Sequence, residues 1–259
     1  MNDAATLVAL AAAGSAALWA ATAISRRNRR VFTVRPEMLA GRTAIVTGAS
    51  SGIGRQVAAE LSAAGASTVM ACRNVTTGEA VAASIRRRTR NDKVSVLALD
   101  LTSPASVYSF AAEFEKRHGR CDVLVLNAGV MCSSHSQAEG GVEHTFFANY
   151  LGHWMLTQAL LPSLKAAHEA SGEKARVVSV ASRLEKRAPP LLRNGALELA
   201  PFIMNEQGYS LGRAYAISKV CTAPDLFYHL PLKPLTSCTS HLLPLASYLL
   251  GRAYAISSV

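Results

Sequence analysis

Three glycines are spaced as G-x-x-x-G-x-G in the segment Thr47-Gly48-Ala49-Ser50-Ser51-Gly52-Ile53-Gly54. The apolar run Thr43–Val46 precedes this segment and the amphipathic run Arg55–Ala64 follows it, which predicts a strand, a turn and a helix. The first glycine permits a tight turn, the second lets the backbone approach a pyrophosphate, and the third lets the helix lie close on the strand. Free N–H groups at the helix start would face the phosphates. The segment therefore predicts a dinucleotide-binding loop, with an ordinary Gly/Ser turn as the alternative.

Apolar strand-like runs alternate with helical patterns through most of the chain. The predicted strands are Thr43–Val46, Thr68–Cys72, Val94–Leu99, Asp122–Leu126 and Arg176–Val180, and the predicted helices are Gly54–Ala64, Gly78–Arg88, Pro104–His118 and Val142–Ala167. Strands that are apolar almost throughout and separated by helices form a parallel sheet covered on both faces. The sequence therefore predicts a Rossmann-like α/β fold with a doubly wound parallel sheet, which binds ligands at the carboxyl ends of its strands.

The composition argues against several other classes of protein. At 259 residues the chain suits one α/β domain. Its five cysteines are scattered without a C-x-x-C pair, which indicates reduced thiols rather than a disulfide framework or a zinc site. The net charge of +10 comes largely from arginine clusters at 26–30 and 86–90, and without an aromatic-interleaved basic stripe we expect no nucleic-acid partner. The seven histidines lack metal-ligand spacing, so we expect no metal site and assign them no role.

The N-terminal segment has the composition of a membrane anchor. Residues 4–24 carry no charge and are mostly apolar, and about 20 such residues span the hydrocarbon core of a bilayer. The arginines at 26–30 follow, which by the positive-inside rule places the main domain in the cytosol. We therefore predict an anchor with a basic flank in residues 1–30, a linker in residues 31–40, and attachment to the endoplasmic reticulum membrane. The alternatives are a cleaved signal peptide, which residues 1–3 disfavour by lacking a positive charge, and a soluble or lumenal protein.

The end of the second predicted strand indicates which nucleotide is bound. An Asp or Glu about 20 residues past the glycine loop would hold the ribose hydroxyls of NAD. The chain instead has Cys72-Arg73-Asn74 at this point, with no acid. An arginine fork matches a 2′-phosphate bidentately, so the sequence favours NADP over NAD as the cofactor. The alternative is that Arg73 is a solvated residue at the end of the strand.

The segment Thr47–Gly54 resembles the cofactor loop of the short-chain dehydrogenase/reductase family. Further segments extend the resemblance in the family's order: Asp100-Leu101, Asn127-Ala128-Gly129 and Asn149-Tyr150-Leu151-Gly152-His153-Trp154. The last is similar to the N-x-L-G-H-F segment of the retinol-dehydrogenase-like branch. The resemblance implies that the acidic residue contacts adenine, that the second segment supports the sheet and the cofactor, and that Asn149 belongs to the catalytic tetrad. The alternatives are a helix-initiating turn residue for the acid and a satisfied strand-end amide for Asn127.

Tyr215 and Lys219 form a Y-x-x-x-K pair, which on a helix places both side chains on one face. Tyrosine ordinarily titrates near a pKa of about 10, and an adjacent ammonium favours the phenolate, so Tyr215 can exchange a proton with a substrate oxygen. The resemblance implies that Lys219 also holds the nicotinamide ribose, that the Ser182 hydroxyl hydrogen-bonds the carbonyl oxygen, and that Asn149 holds a water linking Lys219 to solvent. Ser179 is the nearest alternative to Ser182, and an ordinary surface pair is the alternative for the Tyr/Lys pair.

The resemblance thus predicts two sets of residues. The catalytic set is Asn149, Ser182, Tyr215 and Lys219. The cofactor-binding set is Gly48, Ser50, Ser51, Gly52, Ile53, Gly54, Arg73, Asn74, Asp100, Leu101, Asn127, Ala128, Gly129, Tyr215 and Lys219.

The resemblance covers residues 36–220 and then stops. Pro224 breaks the helix soon after Lys219, and residues 248–259 nearly repeat residues 209–220 with Ser258 in the place of the lysine. We therefore predict a cofactor-binding domain in residues 41–223 and an atypical Pro-rich tail in residues 224–259, with the C-terminal strands of the fold missing. The fifth strand would then present an unpaired edge, which favours homo-oligomers.

Two hypotheses of function follow. The first is an NADP-dependent oxidoreductase that interconverts a lipophilic alcohol and its aldehyde or ketone by hydride transfer, with Tyr215 as acid/base. The N-terminal anchor fits a membrane-borne substrate. The alternative is a catalytically impaired, membrane-attached protein that binds a cofactor or a partner and lacks the segment that would cover the substrate. The ordered motifs favour the first.

Overall fold

The computed structural model describes residues 35–189, 192–193, 196–197 and 206–222. The predicted anchor and the predicted tail, with its near-repeat, lie outside these residues. From Pro36 onward the described residues belong to one compact unit. None of the described helices is long and apolar enough to cross a membrane.

The main sheet has five parallel strands in the order β3-β2-β1-β4-β5. The strands are β1 Thr43–Thr47, β2 Ser67–Cys72, β3 Val94–Ala98, β4 Val123–Leu126 and β5 Arg176–Ser179. The strand order reverses between β1 and β4, and at such a switch point the connections leave to opposite faces and open a crevice for ligand. The doubly wound parallel α/β fold predicted from the sequence is confirmed.

The helices follow the strands, as the alternation of patterns predicts. They are α1 Gly52–Ala63, α2 Val75–Thr89, α3 Pro104–His118, α4 His144–Phe146, α5 Gly152–Ala159, α6 Leu161–Ser171 and α7 Leu211–Cys221. A π turn, Phe147–Leu151, joins α4 to α5, and 3-10 turns lie at Glu139–Gly141, Arg183–Arg187 and Glu206–Gly208. Two further short strands, β6 Leu192–Arg193 and β7 Ala196–Leu197, pair antiparallel.

The prediction of one helix over Val142–Ala167 is wrong. The π turn widens the backbone spiral within this range, and the helix stops at Leu160 before α6 begins. Pro162 lies in the first turn of α6 and has no N–H to continue the hydrogen bonds of α5. The start of α2 is also earlier than predicted, because the Asn74 side chain accepts a hydrogen bond from the N–H of Thr77 at 2.9 Å and so caps the helix.

The sheet divides the core into two apolar layers. Every residue of β1 is buried, with alternate side chains entering opposite layers, as expected for a central strand. One layer joins β1, β2 and β4 to small residues of α1 and α2, and the other joins them to larger residues of α3, α5 and α7. The first layer contains Val46, Ala58, Ala82 and Ile85. The second layer contains Ile45, Phe110, Phe114, Leu156 and Ile217.

Strand β5 lies at the edge of the sheet that the described residues form. It pairs with β4, and the side chain of Val178 is 46% exposed. The predicted absence of later strands concerns residues outside the described ranges, so association through this edge stays a prediction.

Asp122 fastens the end of the sheet opposite the crevice. Its carboxylate accepts hydrogen bonds from the guanidinium of Arg42 at 3.0 Å, from the N–H of Thr43 at 2.8 Å, and from Arg120. Burial alone would raise the pKa of Asp122, but these hydrogen bonds outweigh burial and hold the pKa below its usual value. The carboxylate therefore ties the start of β4 to the start of β1.

We expect Asp122→Asn to lower the free energy of unfolding by about 3 kcal/mol, because it removes the charge of a buried carboxylate that accepts hydrogen bonds from two arginines, and each such bond contributes about 1.5–3 kcal/mol. Urea denaturation at pH 7, followed by circular dichroism, measures this. Glu173→Gln is the matched control: Glu173 also pairs with Arg42 but is 75% exposed, so we expect less than about 1 kcal/mol. Equal losses in the two variants would contradict the role given to Asp122.

Candidate functional site

A cavity of about 570 Å³ opens at the carboxyl ends of the central strands. It lies at the switch point between β1 and β4. All the predicted cofactor residues except Gly54, Tyr215 and Lys219 line it, together with Thr47, Ala71, Leu99, Thr102, Val130, His144 and Ala148. The structure thus brings together twelve predicted residues from four separate segments. The volume of the cavity suits a small-molecule site.

The glycine loop that borders the cavity has the conformation predicted for it. Gly48 has φ +65°, and a Cβ there would lie 2.9 Å from Cα of Ala128. Gly52 has φ +52° and open space where its Cβ would be, so ligand can approach the backbone. Gly54 does not line the cavity. A Cβ at Gly54 would overlap the side-chain amide of Asn127 and the carbonyl of Gly48, so this glycine shapes the loop by close packing.

Asn127 joins the ends of β1 and β4 beneath the loop. Its side-chain amide donates to the carbonyl of Thr47 at 2.9 Å, and its backbone N–H donates to the hydroxyl of Thr47 at 2.9 Å. The N–H of Ala128 donates to the same hydroxyl at 2.9 Å. Asn127 is therefore a satisfied strand-end amide and a cavity residue at once, and the two interpretations made from the sequence are compatible.

Charged groups gather where the cavity meets the ends of β2 and β3. The Asp100 carboxylate accepts hydrogen bonds from the N–H and hydroxyl of Thr102 at 2.9 and 2.6 Å, the local turn that the sequence left as an alternative. Burial would raise the pKa of Asp100, but these hydrogen bonds and the charges of Arg73 and His144 hold it below its usual value. His144 was not predicted as a site residue, because nothing in its local sequence distinguishes it.

Tyr215 and Lys219 lie on one face of α7, as their spacing predicts. The ammonium of Lys219 is 5.6 Å from the centre of the Tyr215 ring and donates to the carbonyl of Val180 at 2.9 Å. Lys219 is 4% exposed, and burial lowers the pKa of its ammonium. The ammonium of Lys219 therefore lies within cation–π distance of the Tyr215 ring.

Asn149 connects the π turn to the neighbouring segments. Its side chain exchanges hydrogen bonds with the backbone of Val130 at 2.7 and 2.9 Å, and its amide donates to the hydroxyl of Ser218 at 3.0 Å. It also lies near Lys219, because a Cβ added to Gly129 would be 3.6 Å from both Asn149 Oδ1 and Lys219 Nζ. Three predicted residues, Asn149, Lys219 and Gly129, therefore meet at one point.

Ser182 follows β5 and begins the 3-10 turn Arg183–Arg187. Its hydroxyl accepts a hydrogen bond from the N–H of Leu184 at 3.3 Å. Ser179, the alternative candidate, is the last residue of β5 and pairs with Leu126. Helix α7 packs against the turn that Ser182 begins. The structure thus places Ser182 on the segment that borders the Tyr/Lys helix.

His153 is a further buried residue that sequence reasoning left without a role. It is 1% exposed, with Nε2 2.9 Å from the Thr47 hydroxyl and Nδ1 3.0 Å from the Asn149 carbonyl. Burial lowers its pKa to about 4, aided by the charge of Lys219 and opposed by the hydrogen bond to Asn149. The ring is therefore neutral near pH 7. Metal-ligand spacing does not distinguish this histidine, whereas its position four residues after Asn149 does.

Comparison with known proteins places this geometry in context. A family model described as short chain dehydrogenase matches residues 42–192. The chain is similar to retinol dehydrogenase 12 of Homo sapiens, at 37% identity over 70% of this chain and 54% of that protein. It is also similar to polyprenol dehydrogenase of Mus musculus, at 39% identity over 76% of this chain and 57% of that protein. The chain thus spans about half the length of these two relatives.

Among solved structures, the chain is similar to a short chain dehydrogenase of Shigella flexneri 2a str. 301 in complex with NADP. The two align with a TM-score of 0.54 and 25% identity, over 73% of this chain and 70% of the other.

We expect Gly54→Ala to weaken the binding of a nicotinamide dinucleotide by about tenfold or more, because overpacking a tight contact typically costs about 1–3 kcal/mol. The added methyl would push Gly48 and Asn127 apart and deform the loop. Calorimetric titration measures the Kd. Gly212→Ala is the control, since Gly212 has open space around it on α7, and we expect a Kd within about twofold of the original. Unchanged binding in Gly54→Ala would contradict the packing role.

Proposed function

Because the chain belongs to the short-chain dehydrogenase family, we propose that it is an NADP-dependent oxidoreductase that interconverts a lipophilic alcohol and its aldehyde or ketone. The observation that carries the proposal is that Gly129, which lines the cavity, lies beside the buried Lys219 ammonium, which in turn lies 5.6 Å from the centre of the half-buried Tyr215 ring. The cavity provides for a dinucleotide, and the pair provides a proton donor whose conjugate base is stabilised by an ammonium.

The residues around the cavity fit a nicotinamide dinucleotide. Open space at Gly52 and the start of α1 suit a pyrophosphate, since the first N–H groups of the helix have no partner within it. Asp100 and Leu101 line the part of the cavity expected to hold adenine. Lys219 lies beside Gly129, which lines the part expected to hold the nicotinamide ribose. When bound, the reduced nicotinamide would supply hydride to the carbonyl carbon, and the oxidised form would accept it in the reverse direction.

The protein's own groups handle the proton and the developing charge. In the reducing direction Tyr215 donates its phenolic proton to the substrate oxygen, and Lys219 stabilises the phenolate that remains. The Ser182 hydroxyl donates a hydrogen bond to the same oxygen as negative charge develops on it. Asn149 holds the segment at Val130 and the Ser218 hydroxyl, and so keeps α7 against the cavity.

Arg73 supports the choice of NADP over NAD. It lines the cavity at the end of β2, and its charge reaches Asp100 across that end of the site. A guanidinium at this point would bind the 2′-phosphate that distinguishes NADP, and no acid at the end of β2 is present to bind free ribose hydroxyls.

The relatives support a lipophilic substrate. Retinol dehydrogenase 12 and polyprenol dehydrogenase are named for retinol and polyprenol, which are largely apolar alcohols. Residues 4–24, uncharged and apolar, would attach the enzyme to the membrane in which such alcohols dissolve, with the catalytic domain facing the cytosol.

We expect Tyr215→Phe to lower turnover by about 100-fold or more, because general acid catalysis is lost, while the Kd for NADPH stays within about twofold. The assay is NADPH oxidation by the full chain with a panel of retinal, steroid and fatty aldehydes. Tyr108 lies on α3 and does not line the cavity, so Tyr108→Phe is the matched control and should keep full activity. A wild type that binds NADPH but turns over no substrate would favour the alternative, an inactive cofactor-binding protein.

We expect Arg73→Ala to weaken NADPH binding by about tenfold or more and to leave NADH binding within about twofold, because a charge-assisted hydrogen bond contributes about 1.5–3 kcal/mol. The ratio of the two dissociation constants is the measurement. Arg86→Ala controls for loss of positive charge, since Arg86 lies on α2 and pairs with Glu79 at 2.9 Å. Equal effects on both nucleotides would show that Arg73 does not select NADP.

A further inference from the structure

The His153 ring spans the gap between the cofactor loop and the catalytic helices. Both of its nitrogens have a partner, the Thr47 hydroxyl at 2.9 Å from Nε2 and the Asn149 carbonyl at 3.0 Å from Nδ1. Thr47 is the last residue of β1, and Asn149 lies in the π turn. Both partners are 0% exposed, so water does not compete for these bonds.

The Thr47 hydroxyl determines which nitrogen of His153 carries the proton. Its oxygen already accepts the N–H groups of Asn127 and Ala128, each at 2.9 Å, which occupies both lone pairs. Its single proton must therefore be donated. Nε2 of His153 at 2.9 Å is a closer acceptor than the carbonyl of Val125 at 3.4 Å. A protonated Nε2 would face an oxygen that has no lone pair left.

The other nitrogen leads to the same assignment. The Asn149 carbonyl can only accept, so Nδ1 must carry the proton of a neutral ring. The reverse tautomer would place a lone pair against the carbonyl and an N–H against a saturated hydroxyl. Two independent contacts thus require the Nδ1–H form.

From Asn149 the contacts continue to the acid/base residue. The Asn149 amide donates to the Ser218 hydroxyl at 3.0 Å, and this hydroxyl donates to the carbonyl of Tyr215 at 2.8 Å. Two sets of hydrogen bonds, one at the backbone carbonyl of Asn149 and one at its side chain, therefore connect Thr47 in the cofactor loop to the helix that carries Tyr215.

We propose that His153 is a positioning residue for the hydride transfer described above, and that its Nδ1–H tautomer holds the Asn149 backbone in register with the cofactor loop. The inference rests on the proposed function. The hydrogen bond to Thr47 holds the His153 ring against the cofactor loop, and the hydrogen bond to Asn149 holds it against the catalytic residues. Neither bond touches substrate, so His153 acts through its two partners.

Two near-isosteric variants separate the bonds. The amide nitrogen of asparagine occupies the place of Nδ1, so His153→Asn keeps the bond to the Asn149 carbonyl and loses the Thr47 partner. The amide oxygen of glutamine reaches the place of Nε2. His153→Gln therefore keeps an acceptor for the Thr47 hydroxyl and loses the hydrogen bond to the Asn149 carbonyl. We expect His153→Asn to raise the Kd for NADPH, and His153→Gln to lower kcat by about tenfold to 100-fold with the Kd within about twofold.

Nitrogen-15 NMR of the histidine-labelled full chain tests the tautomer directly. We expect the His153 signals of a protonated Nδ1 and a bare Nε2, and Thr47→Val should shift the Nε2 signal by removing its donor. His168→Asn on the exposed surface of α6 is the control and should change neither nucleotide binding nor turnover.

Three results would overturn the inference. The first is an Nε2–H tautomer of His153. The second is that both His153 variants keep the Kd and kcat of the wild type. The third is that both variants bind NADPH more weakly and turn over more slowly by equal factors, in proportion to the fraction of protein that is unfolded. The tautomer of His153 and the Kd for NADPH can both be measured without turnover. An inactive wild type would therefore contradict the proposed function while these two readouts still decide the role of His153.

Discussion

The close approach of the ends of β1 and β4 is the constraint on which the site depends. Gly48 lies so near Ala128 that a Cβ would come within 2.9 Å of its backbone, and the amide of Asn127 fills the space beside Gly54. The Thr47 hydroxyl closes this junction by accepting two backbone N–H groups of the facing segment. Because the strand order reverses here, the same junction forms the floor of the cavity and the point from which α1 directs its N-terminus.

Much of the fold and the cofactor site was predictable because the signals are local. Apolar runs such as Val94–Leu99 report burial on both faces of a sheet, and the glycines of Thr47–Gly54 report backbone conformations that other residues avoid. Helix α2 begins earlier than predicted because Asn74 caps it. This short-range hydrogen bond cannot be predicted from the pattern of apolar residues. Arg73 is predicted from its place at a strand end, and it lines the cavity.

The parts that sequence reasoning missed depend on residues far apart in the chain. Thr47 and His153 are 106 positions apart, and no periodicity reports that their side chains meet. The partners of Asn149 in the π turn, Val130 and Ser218, likewise belong to other segments. His144 reaches the cavity only because α4 packs beside it. Which buried polar side chains meet can be read only from the three-dimensional structure, whereas the burial of apolar residues can be predicted from their spacing in the sequence.

The π turn also acts as a rotational offset within one helical path. Each residue of an α-helix advances the side-chain direction by about 100°, so a turn that holds one extra residue rotates everything after it relative to everything before it. Phe146, before the turn, and Leu156, after it, enter the same apolar layer, while Asn149, within the turn, bonds to the Val130 backbone. Removing one residue from Phe147–Leu151 would restore a regular helix but return the two halves to a single phase. The side chains after the deletion would then turn by about 100° relative to those before it.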